Sequence, residues 1–133
     1  MKQTFPSALY RRDLLWNEAI GKNTSAIPYS GESIADLGGL SIAWNAWQRS
    51  LRGKARPPVI DGFSPEQRFF FACAQGRAAN LRPELVRREV TTDTHPIPHL
   101  RVNGPLSNMP EFAAAFGCHT GDPMMRAERC KIW

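Results

Sequence analysis

Apolar side chains in residues 32–51 recur at steps of three and four, which is the spacing of one face of an α-helix. They are Ile34, Leu37, Leu40, Ala43, Trp44, Trp47 and Leu51. Glu32 and Asp36 stand at the start of this helix, and Gly38 and Gly39 follow them. Because a glycine costs a helix about 1 kcal/mol relative to alanine, we expect another backbone to pass close to this pair.

Helix signals recur along the rest of the chain. Ser64 and Gln67 have the spacing of a capping box, and the proline between them suits the first helical position. Residues 91–110 carry four prolines, so we expect an irregular stretch without a long helix there. The predicted helices are 7–20, 32–51, 64–76, 83–90 and 110–117. The sequence therefore predicts a mainly α-helical fold, with short helices joined by long Pro-rich loops.

Length and charge exclude several classes of protein. The chain has 133 residues, room for one domain, and a formal net charge of +5. Its arginines are scattered and are not interleaved with stacking aromatics, so we expect no nucleic-acid partner. No apolar run approaches the roughly 20 residues that span a membrane. The first residues are broken by charges and do not resemble a signal peptide.

Glu32 and Asp36 are four residues apart, so a helix places both carboxylates on one face. They could simply complement the positive end of the helix dipole, at about 0.3–1 kcal/mol each. They could also be a zinc ligand and a carboxylate that orients a histidine ligand. The spacing alone leaves both interpretations open.

Several blocks of the sequence resemble one enzyme family in order and spacing. The blocks are GESIADLGGLSIAWNAWQ, DGFSPEQRFFFACAQ, RPELVRREVTTDTHPIPHLRVNGPLSNMPEFAAAFG and the final CKIW. They are similar to the C-terminal catalytic region of the neprilysin and endothelin-converting-enzyme family of zinc metalloendopeptidases. The resemblance covers residues 31–133, a partial catalytic domain with the fold of the C-terminal part of a thermolysin-like domain. Residues 1–30 form a divergent N-terminal segment.

The resemblance implies roles for particular side chains. The block that begins at Glu32 supplies the third zinc ligand in this family, and its aspartate, here Asp36, orients a histidine ligand. The block around His95 supplies a histidine that stabilises the oxyanion, with Asp93 as its partner. Arg101 matches the arginine that holds a substrate carbonyl. The implied cofactor is zinc and the implied substrate is a peptide.

The sequence also departs from the family pattern. The primary zinc motif H-E-x-x-H does not occur among its histidines, His95, His99 and His119. We therefore expect that the isolated chain neither holds zinc tightly nor cleaves peptides. Gly76-Arg77 stands where the family has an aromatic residue after A-Q. The second and third cysteines, Cys118 and Cys130, match positions that are disulfide-bonded in animal members, with partners in parts of those proteins that this chain lacks. The full-length relatives work outside the cytoplasm; the compartment of this chain stays open.

Three functions remain compatible with the sequence. The chain could be the C-terminal portion of a zinc endopeptidase that is inactive alone. It could be a complementing fragment, to which a separate chain supplies the H-E-x-x-H helix. It could be a non-catalytic helical interaction module that kept the sequence without the activity.

Overall fold

The computed structural model describes residues 30–93, 95–125 and 129. These residues form five α-helices and no β-strand, which confirms the mainly α-helical fold. The helices are α1 Ser30–Ser50, α2 Pro65–Gln75, α3 Pro83–Thr92, α4 Pro98–Asn108 and α5 Pro110–Phe116. The helix predicted for residues 7–20 lies outside the described residues. Within them, no helix is long and apolar enough to cross a membrane.

Helix α2 begins at the predicted capping box. The Ser64 hydroxyl accepts a hydrogen bond from the Gln67 backbone N–H at 3.2 Å, and the Gln67 side-chain oxygen accepts one from the Ser64 N–H at 2.9 Å. The Gln67 amide also donates to the carbonyl of Ala115 at 3.0 Å. The cap therefore satisfies backbone donors at the start of α2 and ties this helix to α5.

Helix α4 corrects the prediction that residues 91–110 are irregular. Its eleven residues begin at Pro98 and contain Pro105. Proline at the first helical position costs nothing, because that N–H has no intrahelical acceptor. Pro105 removes one hydrogen bond, to the carbonyl of Arg101, yet its ring is buried in the packed interior. The prolines therefore set the limits of a helix instead of preventing it.

The loop between α1 and α2 falls between the predicted helices 32–51 and 64–76. Ile60 and Phe63 exchange two backbone hydrogen bonds, of 3.1 and 2.9 Å, around Asp61 and Gly62. Both central residues have positive φ, 52° and 79°, as a type I′ turn requires. The Asp-Gly pair thus closes this loop through its own backbone preference.

The core lies where α1, α2 and α4 meet. Its buried residues are Leu37, Leu40, Trp44, Phe70, Leu106 and Met109. The Trp44 ring stacks on Phe70 with 5.0 Å between centroids, and Phe70 is 1% exposed. Trp47 and Phe69 pack against this core while partly buried. Phe71, which follows Phe70, is 37% exposed.

Candidate active site

Three separate segments of the chain bring the predicted site residues together. Glu32 and Asp36 lie in the first two turns of α1, His95 lies in the link between α3 and α4, and Arg101 lies in the first turn of α4. Because α1 packs against α4, residues about 65 positions apart in sequence become neighbours. All four predicted site residues therefore contact at least one other member of the set.

Arg101 holds Asp36 through two parallel hydrogen bonds. Its Nε donates to Asp36 Oδ2 at 2.7 Å, and its Nη2 donates to Oδ1 at 2.8 Å. Both side chains are largely buried, at 15% and 11% exposed. The hydrogen bond to Asp36 is the main cause that raises the pKa of Arg101 above its usual value. This fork fixes the guanidinium in one orientation and leaves its remaining N–H groups as donors.

Glu32 and His95 form a second, more open part of the site. The Glu32 Oε2 lies 3.4 Å from His95 Nε2 and 3.4 Å from Arg101 Nη2. Asp93 Oδ1 lies 2.9 Å from His95 Nδ1 and accepts a hydrogen bond from the His95 backbone N–H at 2.8 Å. The expected partnership of Asp93 with His95 is present. The imidazole is therefore oriented from one side while its Nε2 faces Glu32.

Arg77 is a neighbour of the site that the sequence analysis did not include. It follows α2, and its Nη2 donates to Asp36 Oδ1 at 3.2 Å. Its side chain is 43% exposed, so it borders the site from solvent. The sequence signal was the departure from the aromatic residue expected after A-Q. The departure itself does not indicate the contact that the structure shows, a second cation on Asp36.

A groove of about 500 Å³ runs beside these residues, between α1, α2 and α4. Asp36, Arg77 and Arg101 line one part of it, and its other walls are small or apolar. Gly39 lines it as well, and no other part of the described chain comes within 4 Å of where its Cβ would lie. We had predicted that another backbone passes close to Gly38 and Gly39, and for Gly39 the described residues do not bear this out. They leave the helix face open to the groove.

Cys73 lies in the wall of this groove as a free thiol. Desolvation raises its pKa above the usual value, a change that Arg77 opposes. The thiol is therefore protonated near neutral pH and adds no charge to the groove. Cys118 is a free thiol too. The last cysteine lies outside the described residues.

Zinc in a protein takes three or four protein ligands. The described residues contain no group of three histidine, cysteine, aspartate or glutamate side chains that could hold a metal ion. Glu32 and His95 offer at most two ligands here, and both oxygens of Asp36 already accept from Arg101. These residues therefore do not fit a complete zinc site by themselves.

Comparison with known proteins decides the family. The model of peptidase family M13 matches residues 16–132. The chain belongs to peptidase family M13. Neprilysin-2 of Drosophila melanogaster is 38% identical over 118 residues, which cover 86% of the chain and 15% of that protein. Human endothelin-converting enzyme-like 1 is 36% identical over 128 residues, 94% of the chain and 16% of that protein.

Solved structures of an M13 zinc metalloprotease show the same fold. The Mycobacterium tuberculosis enzyme in complex with an inhibitor aligns with a TM-score of 0.77 and 38% identity over 92% of the chain. Its open state aligns with a TM-score of 0.74 and 40% identity over 79% of the chain. The alignments cover 19% and 16% of those structures. The resemblance to part of a thermolysin-like catalytic domain is therefore confirmed.

The chain matches a portion of an M13 zinc metalloendopeptidase and spans about a sixth of the length of the curated relatives. The family match begins at residue 16, inside the segment 1–30 that the sequence analysis set apart. The division into a divergent segment 1–30 and a partial catalytic domain 31–133 stays a prediction.

Proposed function

We propose that this chain supplies the third zinc ligand and the transition-state-binding side of an M13 endopeptidase site. The observation that supports this most is the convergence of Glu32, Asp36, His95 and Arg101 from three segments into one contact network. Each is the residue type that the family motif requires at that position. A helix-dipole role for the two carboxylates would not require the histidine and the arginine beside them.

The geometry supports a different role for each residue of the network. Glu32 is 37% exposed, so its carboxylate can reach a metal that other residues help to hold. Arg101 is kept in place by Asp36, so its free N–H groups can hold a peptide carbonyl without rearranging. His95, oriented by Asp93, is our candidate donor to the oxyanion, an interaction worth about 3 kcal/mol in such sites. In the completed site Asp36 would also orient a histidine ligand.

Because these residues supply only part of a zinc site, we propose that activity requires a segment that carries H-E-x-x-H. That segment would provide two imidazoles on one helix face and the general base. It could belong to a longer form of this protein or to a partner chain. The substrates would be peptides. We predict that the 133-residue polypeptide alone neither holds zinc tightly nor hydrolyses peptide bonds.

A fusion protein can test these roles. The part of the mycobacterial relative that precedes its matched region would be joined to this chain, giving what we call the joined protein. We expect chelator-sensitive peptide hydrolysis by the joined protein. The variant Glu32→Gln should abolish it, and His95→Gln should lower kcat by about 100-fold.

Controls separate a catalytic role from a structural one. Glu84→Gln on α3, whose side chain is 79% exposed, should leave the activity of the joined protein unchanged. Arg101→Lys should impair it, because lysine keeps the charge but loses the fork. Full activity in Glu32→Gln and His95→Gln would refute the proposal. It would favour a non-catalytic interaction module.

A further inference from the structure

The groove beside the site is positively charged at one end. Among its lining residues, Asp36 carries one negative charge and Arg77 and Arg101 carry two positive charges. Glu32 and Asp93, the nearby acidic residues, contact Arg101 or His95 and do not line the groove. Arg101 has Glu32 as a second carboxylate partner, whereas among the described residues Arg77 has only the Asp36 oxygen that it shares with Arg101, so a further anion in the groove would pair with Arg77.

Most N–H groups of the Arg77 guanidinium have no acceptor among the described residues. Asp36 Oδ1 also accepts the shorter bond from Arg101, at 2.8 Å, and it lies 3.2 Å from Arg77 Nη2. A guanidinium has five N–H donors, and no other acceptor for those of Arg77 occurs in the described part of the chain. Its fork matches a second carboxylate in shape as well as in charge.

The remaining walls of the groove are small or apolar, which suits the methylene groups of a ligand side chain. Ala35, Gly39, Ala43, Ala72 and Phe69 give it small or apolar walls. Such a site buries the methylene part of a ligand and orients it through a few polar groups at one end. An apolar side chain would pack against these walls, but the N–H groups of Arg77 would then have only water as an acceptor.

From this geometry, and resting on the proposed function, we infer that the groove binds an aspartate or glutamate side chain of the peptide substrate. Arg77 is the residue that determines this specificity. Arg101 lines the groove and, as proposed above, holds a substrate carbonyl, so a side chain near that carbonyl can reach Arg77. This would make the chain selective for acidic peptides, in contrast to relatives with an aromatic residue at this position.

Binding to the purified 133-residue polypeptide tests the inference without any hydrolysis. Blocked tetrapeptides that differ only in one central glutamate or glutamine would be titrated against tryptophan fluorescence. Phe69 lines the groove and stacks on Trp47 at 5.3 Å, so occupation of the groove should change the emission. We expect the glutamate peptide to bind about five- to tenfold more tightly at low salt. The preference should shrink as ionic strength rises.

Variants assign the preference to one side chain. Arg77→Gln should make the two peptides bind equally, and Arg77→Lys should keep part of the preference. Arg77→Trp, which restores the family's aromatic residue, should remove it. The matched control is Arg87→Gln on α3, since Arg87 is similarly exposed and does not line the groove. Circular dichroism checks that each variant is folded.

Equal binding of the two peptides by the wild type, or no binding of either, would overturn the inference. So would a preference that survives in Arg77→Gln. Two further outcomes distinguish a failure of the proposed function from a failure of this inference. An inactive joined protein, with the glutamate preference intact in the 133-residue chain, would refute the peptidase role only. A joined protein that cleaves both peptides equally well would refute only the acidic specificity.

Discussion

At the scale of single residues, Asp36 is the centre of the site. It accepts two hydrogen bonds from Arg101 and one from Arg77, while only 11% of its side chain is exposed. Removing its charge would leave Arg77 without its carboxylate partner and Arg101 with only the longer contact to Glu32, at 3.4 Å. We therefore expect the stability of the protein and its proposed function to depend on the same carboxylate.

Asp36→Asn should lower the free energy of unfolding by about 1–3 kcal/mol, because the partly buried Arg101 loses its paired charge-assisted hydrogen bonds and keeps only the 3.4 Å contact to Glu32. Urea denaturation of the 133-residue polypeptide measures this loss. The control is Glu32→Gln, which alters contacts of 3.4 Å at a more exposed side chain and should cost less than about 0.5 kcal/mol. Equal losses in the two variants would contradict the central place of Asp36.

His99 gives the stability a defined dependence on pH. Desolvation lowers the pKa of its imidazole below the usual value of about 6.5. Below that pH the unfolded chain therefore takes up a proton before the folded chain does, and this contribution to stability is lost as the pH falls. We expect His99→Gln to reduce the fall in stability between about pH 7.5 and 5.5. An unchanged fall in His99→Gln, measured by urea denaturation at each pH, would refute the assignment.

The sequence identified four residues of the candidate site, but it did not indicate which of them contact one another. The four-residue spacing placed Glu32 and Asp36 on one helix face, and the family motifs pointed to His95 and Arg101. Neither kind of signal indicates that Arg101 would donate two hydrogen bonds to Asp36, because that contact depends on how α1 and α4 pack. The sequence analysis did not include Arg77 in the site for a similar reason, because its contact with Asp36 depends on how α2 packs.

At the scale of the helices, caps and prolines set the boundaries. The capping box was predictable because its four residues are local in sequence. The same holds for α5, which ends at Gly117 with φ 64°, a left-handed conformation that suits glycine. Helix α4 was not predictable from proline content. Its stability comes from burial against α1 and the core, a tertiary effect that outweighs local propensity.

Ser64→Ala should destabilise the protein by about 1 kcal/mol, because the backbone N–H of Gln67 loses its acceptor at the start of α2. Ser50→Ala is the control, since that hydroxyl donates to the Trp47 carbonyl at the exposed end of α1. It should change the stability by only a few tenths of a kcal/mol. Thermal unfolding followed by circular dichroism compares the two. A Ser64→Ala protein as stable as the wild type would show that the capping box does not contribute.

At the scale of the whole molecule, an aromatic cluster joins the helices. Phe70 stacks on Trp44 and contacts the Phe112 ring edge-to-face, with centroids 5.5 Å apart. It thereby links α1, α2 and α5 in one core. Beyond the core, the groove leaves a face of α1 open beside the site.

Phe70→Ala should cost about 3–5 kcal/mol, since it removes the most buried large side chain of the described core and leaves a cavity. Its neighbour Phe71 is 37% exposed, so Phe71→Ala should cost only about 1 kcal/mol. Both variants are compared by urea denaturation. Similar losses for the two would contradict the core described above.

The central claim is that Glu32 is one ligand of a zinc site whose other protein ligands come from an H-E-x-x-H segment. The most direct test is the zinc content per chain, measured by atomic emission after exposure to a competing chelator. We predict about one zinc in the joined protein, and well below one in its Glu32→Gln variant and in the 133-residue polypeptide alone. One tightly held zinc in the polypeptide alone, or undiminished zinc in Glu32→Gln, would contradict the claim.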